Sequence, residues 1–364
     1  MHSEVNATRT NPVLRKLAYA ARSFLGTHGV AAQVSALRQR VEDLAALAAS
    51  EVEQAPTPEP AKQETVGELE IYRGYTESDV DLMRKYQVVG TKPQKGFVTD
   101  FLGGKTSVAY MHAIGGLDGA INGLPIPANW HAEAAEWVGL LKPVEQADET
   151  LAVMELGAGW GPAVIACGLA GRRRGIRDIR LCAVEGDPAH YQYLVDHFRN
   201  NGFDPAQHDL LEAAVGVEDG EARWPKVVDP AGDWGSRPML SSEEGQTDHV
   251  GRTFEAWLDI KVVSFKSLLL MQPVWDLVHI DVQGHEMELC TAEAELFDTR
   301  VKWLNIGTHN YKLHGDLMDL MFQKGWVLEN EKPPRIKWSH GAPSLINMTT
   351  HDGIQVWRNP ALTG

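Results

Sequence analysis

From residue 151 onward, apolar runs alternate with segments of helical periodicity, which is the pattern of a parallel, doubly wound α/β sheet. The strands that this pattern predicts are, in chain order, residues 151–156, 179–185, 210–215, 274–281 and 301–307. A late pair of strands, the second at 353–357, would complete the sheet. Residues 221–259 are rich in Gly, Pro, Trp and charge and predict a long irregular excursion, followed by an edge strand at 260–264.

The chain before residue 146 divides into three segments. Residues 1–54 are expected to form a helical extension, in which apolar residues at 34–48 step by three and four as in a short coiled coil. This spacing fits a homo-oligomer seam or a helix packed on its own protein, and the basic residues upstream could rest on a membrane surface. Residues 55–65 hold alternating prolines and predict a stiff linker. Residues 66–145 would be a prelude or lid, and residues 146–364 the main domain.

Two helices are expected within this prelude. Thr76 or Ser78 can cap a helix that ends near Tyr86. A second helix is expected from His131 to Leu141, directly before the first strand of the sheet.

The first strand ends in three alternating glycines, within Glu155-Leu156-Gly157-Ala158-Gly159-Trp160-Gly161-Pro162. Glycine is favoured where backbone must turn sharply or lie directly against a ligand. The helix that follows begins with unpaired N–H groups and a partial positive charge. Because open α/β sheets bind ligands at the carboxyl ends of their strands, this turn predicts a small-molecule site.

Two acids narrow the choice of ligand. A dinucleotide turn reads Gly-x-Gly-x-x-Gly, whereas Pro162 stands here in place of the third glycine. Glu155 lies just before the turn, where its carboxylate would repel a diphosphate and attract a sulfonium or an amino group. Glu185 ends the second strand and can accept both hydroxyls of a ribose. The pattern therefore predicts S-adenosylmethionine, held by the glycines of the turn, Trp160 and these two acids.

Composition restricts the classes of partner. The net charge of −15 argues against a general nucleic-acid binder, which would normally show a basic face. Cys167, Cys182 and Cys290 lie in apolar segments without disulfide or zinc spacing, which predicts buried thiols in a reducing compartment. The sequence has no apolar run of about 18 residues and does not begin with the order of a signal peptide. We therefore expect a cytoplasmic protein.

A second group of candidates follows strands four and five. Asp281 ends one strand and His309 follows the other, and neighbouring parallel strands would bring both residues to the edge that carries the glycine turn. Methyl transfer to a hydroxyl needs a proton acceptor, and histidine is suited to this near neutral pH. We predict His309 as the base, with Asp281 orienting it or contacting the donor. The alternatives are a structural histidine, or a divalent metal site completed by Glu286.

These motifs resemble the FkbM-type family of S-adenosylmethionine-dependent methyltransferases over residues 95–360. The resemblance is carried by Glu155-Leu156-Gly157-Ala158-Gly159-Trp160-Gly161, Val184-Glu185 with Asp187-Pro188, Asn200-Asn201-Gly202, Ala214-Val215-Gly216 with Asp219-Gly220, and His279-Ile280-Asp281-Val282-Gln283-Gly284-His285-Glu286. The family usually has lysine and glutamate where this chain has His279 and Gln283. The resemblance implies a class I, Rossmann-like methyltransferase fold and O-methylation of a sugar or natural-product hydroxyl.

We therefore expect an S-adenosylmethionine-dependent O-methyltransferase whose acceptor is a saccharide or another small molecule. Its acceptor pocket has four candidate residues, which would otherwise simply pack against the sheet: Asn129, Trp130, His131 and Glu133. His279 lies inside its strand and is expected to be a core histidine. Two other classes stay open, a dinucleotide-dependent oxidoreductase and a non-catalytic protein that keeps the fold and assembles through residues 30–54.

Overall fold

The computed structural model describes residues 39–40, 74–239, 252–342 and 344–364. Residues 71–364 form one compact unit. The predicted coiled-coil seam and the proline-rich linker lie outside the described residues, so both stay predictions. Within the part of the chain that is described, no helix has the length and apolar character needed to cross a lipid bilayer.

The described elements are short and alternate along the chain. The strands are β1 (Phe97–Thr99), β2 (Lys105–Ser107), β3 (Thr150–Leu156), β4 (Asp178–Glu185), β5 (Asp209–Glu212), β6 (Ala214–Gly216), β7 (Gly220–Pro225), β8 (Trp257–Ser264), β9 (Leu277–Ile280), β10 (Trp303–Thr308), β11 (Val327–Lys332), β12 (Arg335–Ile336), β13 (Thr349–His351) and β14 (Gly353–Arg358). The α-helices are α1 (Glu77–Tyr86), α2 (Ala134–Gln146), α3 (Pro162–Arg174), α4 (Pro188–Asn200), α5 (Phe265–Leu269), α6 (Glu286–Ala292), α7 (Ala294–Arg300), α8 (Tyr311–Gln323) and α9 (Pro360–Thr363). Single 3₁₀ turns lie at His112–Leu117, Pro205–Gln207 and Ile346–Met348.

A seven-stranded sheet with the order β11-β14-β10-β9-β3-β4-β5 organises the unit. Strands β10, β9, β3, β4 and β5 run parallel, whereas β14 is antiparallel to both of its neighbours. The chain builds outward from β3 through β4 to β5 and then returns to β9 on the other side of β3. The order therefore reverses between β3 and β9, which is where open α/β sheets form their ligand crevice.

Both faces of the sheet are covered by helices. On β3, Val153 belongs to the apolar core beneath α2 and α3, whereas Met154 belongs to the core on the opposite face. Leu140 and Val164 are fully or almost fully buried in the first core, and Phe297 in the second. Burial on two faces is why these strands read as continuous apolar runs in the sequence.

The prelude helices follow local capping chemistry. The Thr76 side chain accepts from the Asp79 N–H, and the Asp79 carboxylate accepts from the Thr76 N–H at 2.8 Å. This capping box confirms the predicted start of α1. The helix α2 begins at Ala134, later than predicted, because the Asn129 side chain accepts from the N–H groups of His131 and Ala132 and forms a turn there.

Three expectations for residues 210–264 are wrong. Residues 210–215 form two strands, since β5 ends at Glu212 in the large sheet and β6 starts a separate three-stranded sheet of order β6-β8-β7. Strand β8 is the centre of that sheet and has no free edge. The expected irregular excursion also contains β7, whose partner β8 comes 32 residues or more later. Pairing at this distance leaves little periodicity within one short strand.

The stability of the last strand junction can be tested at Asn359. This buried side chain donates from Nδ2 to the carbonyls of Phe297, Asp298 and Val301 at 3.0–3.2 Å and accepts from the Ala361 N–H. We expect Asn359→Ala to lower the free energy of unfolding by about 1–3 kcal/mol, because these buried groups lose their partner. Urea unfolding measures it.

The matched control is Asn347→Ala at an exposed position. We expect it to change the free energy of unfolding by less than about 0.5 kcal/mol. Equal effects of the two substitutions would contradict a stabilising role for the Asn359 hydrogen bonds.

Candidate active site

A cavity of about 390 Å³ lies at the carboxyl ends of the central strands. It is lined by Gly157 after β3, Glu185 at the end of β4, Asp281 after β9 and Gly307 near the end of β10. The predicted residues Glu155, Gly159 and Trp160 also line it, whereas Gly161 and His309 are not part of its wall. The crevice between β3 and β9 is thus the candidate site.

The glycine turn brings two backbones into contact. Gly157 has a φ of 71°, and a Cβ at this position would lie 1.8 Å from the carbonyl oxygen of Asp281. Gly159 has a φ of 56°, and its Cβ would lie 3.2 Å from the Trp234 ring. Gly161 caps α3 and packs under Leu194. Side chains at the first two positions would fill the cavity entrance or push the strands apart.

Glu155 caps the helix that follows the turn. Its buried carboxylate accepts from the N–H groups of Ala163 and Val164 at 3.2 and 2.9 Å. Burial raises the pKa of Glu155 to about 7. Because a carboxylate of the protein already occupies the start of α3, this helix end is a poor site for a bound phosphate.

Glu185 joins the end of β4 to the glycine turn. One carboxylate oxygen accepts from the Gly159 N–H and the other from the Asp187 N–H, both at 2.7 Å. Burial raises the pKa of Glu185 to about 7. A carboxylate has about four lone-pair sites, so two remain for a ligand.

Tryptophans cover the β4 side of the cavity. Trp224 from β7 lies over Gly186, where a Cβ would come within 2.6 Å of its ring. Trp234 stacks on His190 with ring centroids 4.0 Å apart and meets the edge of Trp160 at 4.7 Å. Such flat apolar walls suit a planar ring. Trp224 and Trp234 were not singled out from the sequence; the Trp-rich composition of residues 221–259 was the available signal.

Glu286 is fully buried and organises the loop after β9. Its carboxylate accepts from the N–H groups of Val282 and Gly284 at 2.9 and 3.0 Å. These bonds flank Gln283, which has a left-handed φ of 57°. The loop conformation therefore depends on Glu286.

His309 is surrounded by carboxylates. Its Nε2 atom lies 2.9 Å from Glu286 and 3.2 Å from Asp281, and its Nδ1 atom lies 3.3 Å from Asp352. Burial alone would lower the pKa of His309, but Glu286 and the other carboxylates outweigh burial and hold it well above its ordinary value. A charged imidazole with both nitrogens paired has no free lone pair for a proton. These surroundings favour the structural alternative over the predicted base.

The predicted metal alternative involves the same side chains. Ligand atoms of Asp281, Glu286 and His309 lie within 4.8 Å of one another. Hydrogen bonds among them and to the backbone already explain their convergence, so the arrangement does not call for a cation.

The β14 side of the cavity carries polar groups. Lys332 forms a close ion pair with Glu133, and both line the cavity with Asp352. His131 also lines it and packs on Trp160. Burial lowers the pKa of His131, so its imidazole is neutral near pH 7.

Of the predicted acceptor-pocket residues, His131 and Glu133 line the cavity, Trp130 stacks against Trp160, and Asn129 forms the turn before α2. Glu136 and Lys332 were missed. A glutamate within the apolar run of α2 was the available signal for Glu136.

The fold and site together define a class. Five parallel strands, an antiparallel β14 between β10 and β11, and a ligand cavity beyond β3 form the class I, Rossmann-like methyltransferase fold. No family model matches this chain. A protein of Jannaschia sp. (strain CCS1) that carries the name of a methyltransferase is 30% identical over 281 residues, which are 77% of this chain and 98% of that protein. The chain therefore belongs to the methyltransferase family of this relative.

Solved structures are similar at a lower level. The precorrin-6y C5,15-methyltransferase of Geobacter metallireducens GS-15 gives a TM-score of 0.35 at 11% identity, over 63% of this chain and 88% of that one. Methyltransferase FkbM of Methylobacillus flagellatus KT gives a TM-score of 0.35 at 12% identity, over 57% of this chain and 44% of that one. Similarity this low carries no information about substrate.

The charge state of His309 gives a pH-dependent prediction. A pKa raised by folding contributes stability that is fully present below the unfolded value and is lost as pH rises through the folded value. We expect His309→Gln to cost more unfolding free energy at about pH 6 than at about pH 9, by more than about 1 kcal/mol. Urea unfolding at both pH values measures this difference.

The control is His112→Gln, which removes an exposed ion pair to Asp229. We expect a change below about 1 kcal/mol at either pH. An equal cost of His309→Gln at both pH values would mean that His309 is not charged in the folded protein.

Proposed function

We propose that this chain binds S-adenosylmethionine in the cavity and transfers its methyl group to a hydroxyl of a saccharide or natural product. The observation that carries the proposal is the joining of Glu185 to the glycine turn through the Gly159 N–H. This bond sets a ribose-binding carboxylate beside backbone that lies open to a ligand.

Charge supports the methyl donor over a dinucleotide. The described lining has six carboxylates, against one lysine and one arginine: Glu133, Glu136, Glu155, Glu185, Asp281 and Asp352, with Lys332 and Arg237. S-adenosylmethionine carries a positive sulfonium, which this lining attracts. The diphosphate of a nicotinamide dinucleotide would meet the Glu155 carboxylate at the start of α3. The oxidoreductase alternative is therefore disfavoured.

Each part of the donor has a counterpart in the cavity. Glu185 keeps lone pairs for the two ribose hydroxyls. Trp224 and Trp234, on the same side of the sheet, offer aromatic faces for adenine. The sulfonium would then point toward Asp281 and the floor of the cavity.

The acceptor half supports a hydroxylated substrate. Glu133, Lys332 and Asp352 offer both hydrogen-bond donors and acceptors, which suit a molecule with several hydroxyl groups. The resemblance of residues 279–286 to the FkbM-type motif supports O-methylation. The buried free thiols Cys167, Cys182 and Cys290 are in keeping with the proposed cytoplasmic location.

Calorimetry tests the cofactor directly. The purified full chain is titrated separately with S-adenosylmethionine and with NADH. We expect saturable binding of the methyl donor alone. Binding of NADH alone would support the oxidoreductase, and binding of neither would leave a protein that keeps the fold for another purpose.

The glycine turn provides the matching variant. We expect Gly159→Val to weaken S-adenosylmethionine binding more than about 100-fold, equivalent to about 2.7 kcal/mol, because the side chain is strained at this φ and enters the donor site. The control is Gly220→Ala, where a Cβ meets no atom within 4 Å. Unchanged affinity in a folded Gly159→Val protein would exclude the turn as the donor site.

A further inference from the structure

The floor of the cavity holds a histidine that the proposed function has not used. His279 in β9 is 5% exposed and lines the cavity, and neither ring nitrogen has a hydrogen-bond partner among the described residues. The nearest polar atom is Oε1 of Glu136 in α2, 3.6 Å from Nε2. We call these two residues the His279–Glu136 pair.

Glu136 is also uncommitted. Its half-buried carboxylate makes no hydrogen bond to another described residue, and His279 is its one ion-pair partner there. Buried polar groups are normally hydrogen-bonded, so two adjacent unsatisfied side chains facing a cavity indicate a missing ligand.

The charges around His279 are mostly negative. Glu155 faces it from β3 at the same register, Glu136 faces it from α2, and Asp281 follows it at the end of β9. The neutral His131 lies before α2. Burial alone would lower the pKa of His279, but Glu136 and the other carboxylates outweigh it and raise the pKa above the ordinary value.

We propose that His279 takes the proton from the acceptor hydroxyl, and that the positive charge of the bound methyl donor frees His279 to do so. This inference rests on the proposed function, since it requires a sulfonium in the same cavity. The sequence predicted a core histidine at this position and His309 as the base.

The transfer step balances as follows. The acceptor oxygen forms a bond to the methyl carbon, and the carbon–sulfur bond breaks with its electron pair passing to sulfur. The hydroxyl proton moves to an imidazole nitrogen of His279. Glu136 is a positioning residue that stabilises the imidazolium formed.

The total charge of the cavity then stays constant. Before the donor binds, the acidic cavity holds a protonated His279. A sulfonium nearby would place two positive charges in one buried space, so the histidine gives up its proton to solvent. During transfer sulfur becomes neutral as His279 becomes charged again. Binding of the next donor releases that proton, which completes one proton per methyl group.

Nuclear magnetic resonance of histidine-labelled full chain tests the inference without an acceptor. The ring ¹Hε1–¹³Cε1 signal of His279, assigned by its loss in His279→Gln, is followed at about pH 6.5, the ordinary histidine pKa. The probes are S-adenosylmethionine and its neutral product S-adenosylhomocysteine. We expect the charged form in the free protein and with the product, and the neutral form with the donor.

Other side chains provide internal comparisons. His309 should stay charged in all three states, and His131 should stay neutral. Glu136→Gln should increase the neutral fraction of His279 in the free protein, because a stabilising carboxylate is lost. Affinity alone would not assign the proton, since Glu155 also titrates at about 7.

A His279 that stays charged in the donor complex, or that is already neutral in the free protein, would overturn the inference. Absence of donor binding by calorimetry is a separate result. It would remove the proposed function, and with it the inference.

Discussion

The contact between Gly157 and the carbonyl of Asp281 is the constraint on which the site depends. A Cβ at residue 157 would lie 1.8 Å from that oxygen, so only glycine lets the ends of β3 and β9 approach this closely. The approach brings the carboxyl ends of four parallel strands to one cavity. It also carries Glu155 and His279, which share one register, onto the same floor. A displacement here would alter the donor and acceptor halves together.

Buried carboxylates are the second feature of the site, and each has a different partner. Glu155 caps α3, Glu185 holds the glycine turn, and Glu286 holds the loop after β9 and pairs with His309. Such groups are costly to bury unless hydrogen bonds or charges compensate for the lost water. Glu136 lacks such compensation among the described residues. The difference separates side chains that build the cavity from one available to a reaction.

The glycine turn and Glu185 could be predicted from sequence because their signals are local. Each lies at the end of an apolar strand, and parallel strands end at the same edge. The His279–Glu136 pair could not be predicted, since it depends on how α2 packs over β9, 140 residues further along the chain. Trp224 was hidden for the same reason, because β7 pairs with a distant β8. His309 was assigned to the correct edge, but the carboxylates around it belong to α6 and to the segment before β14.

The most direct test of the donor site is a crystal structure of the full chain grown with S-adenosylhomocysteine. We expect the ligand in the 390 Å³ cavity, with its ribose hydroxyls on Glu185 and its adenine against Trp224 or Trp234. The sulfur should face the floor formed by His279 and Glu136. A ligand bound elsewhere, or in the cavity with its ribose away from Glu185, would contradict this assignment of the site.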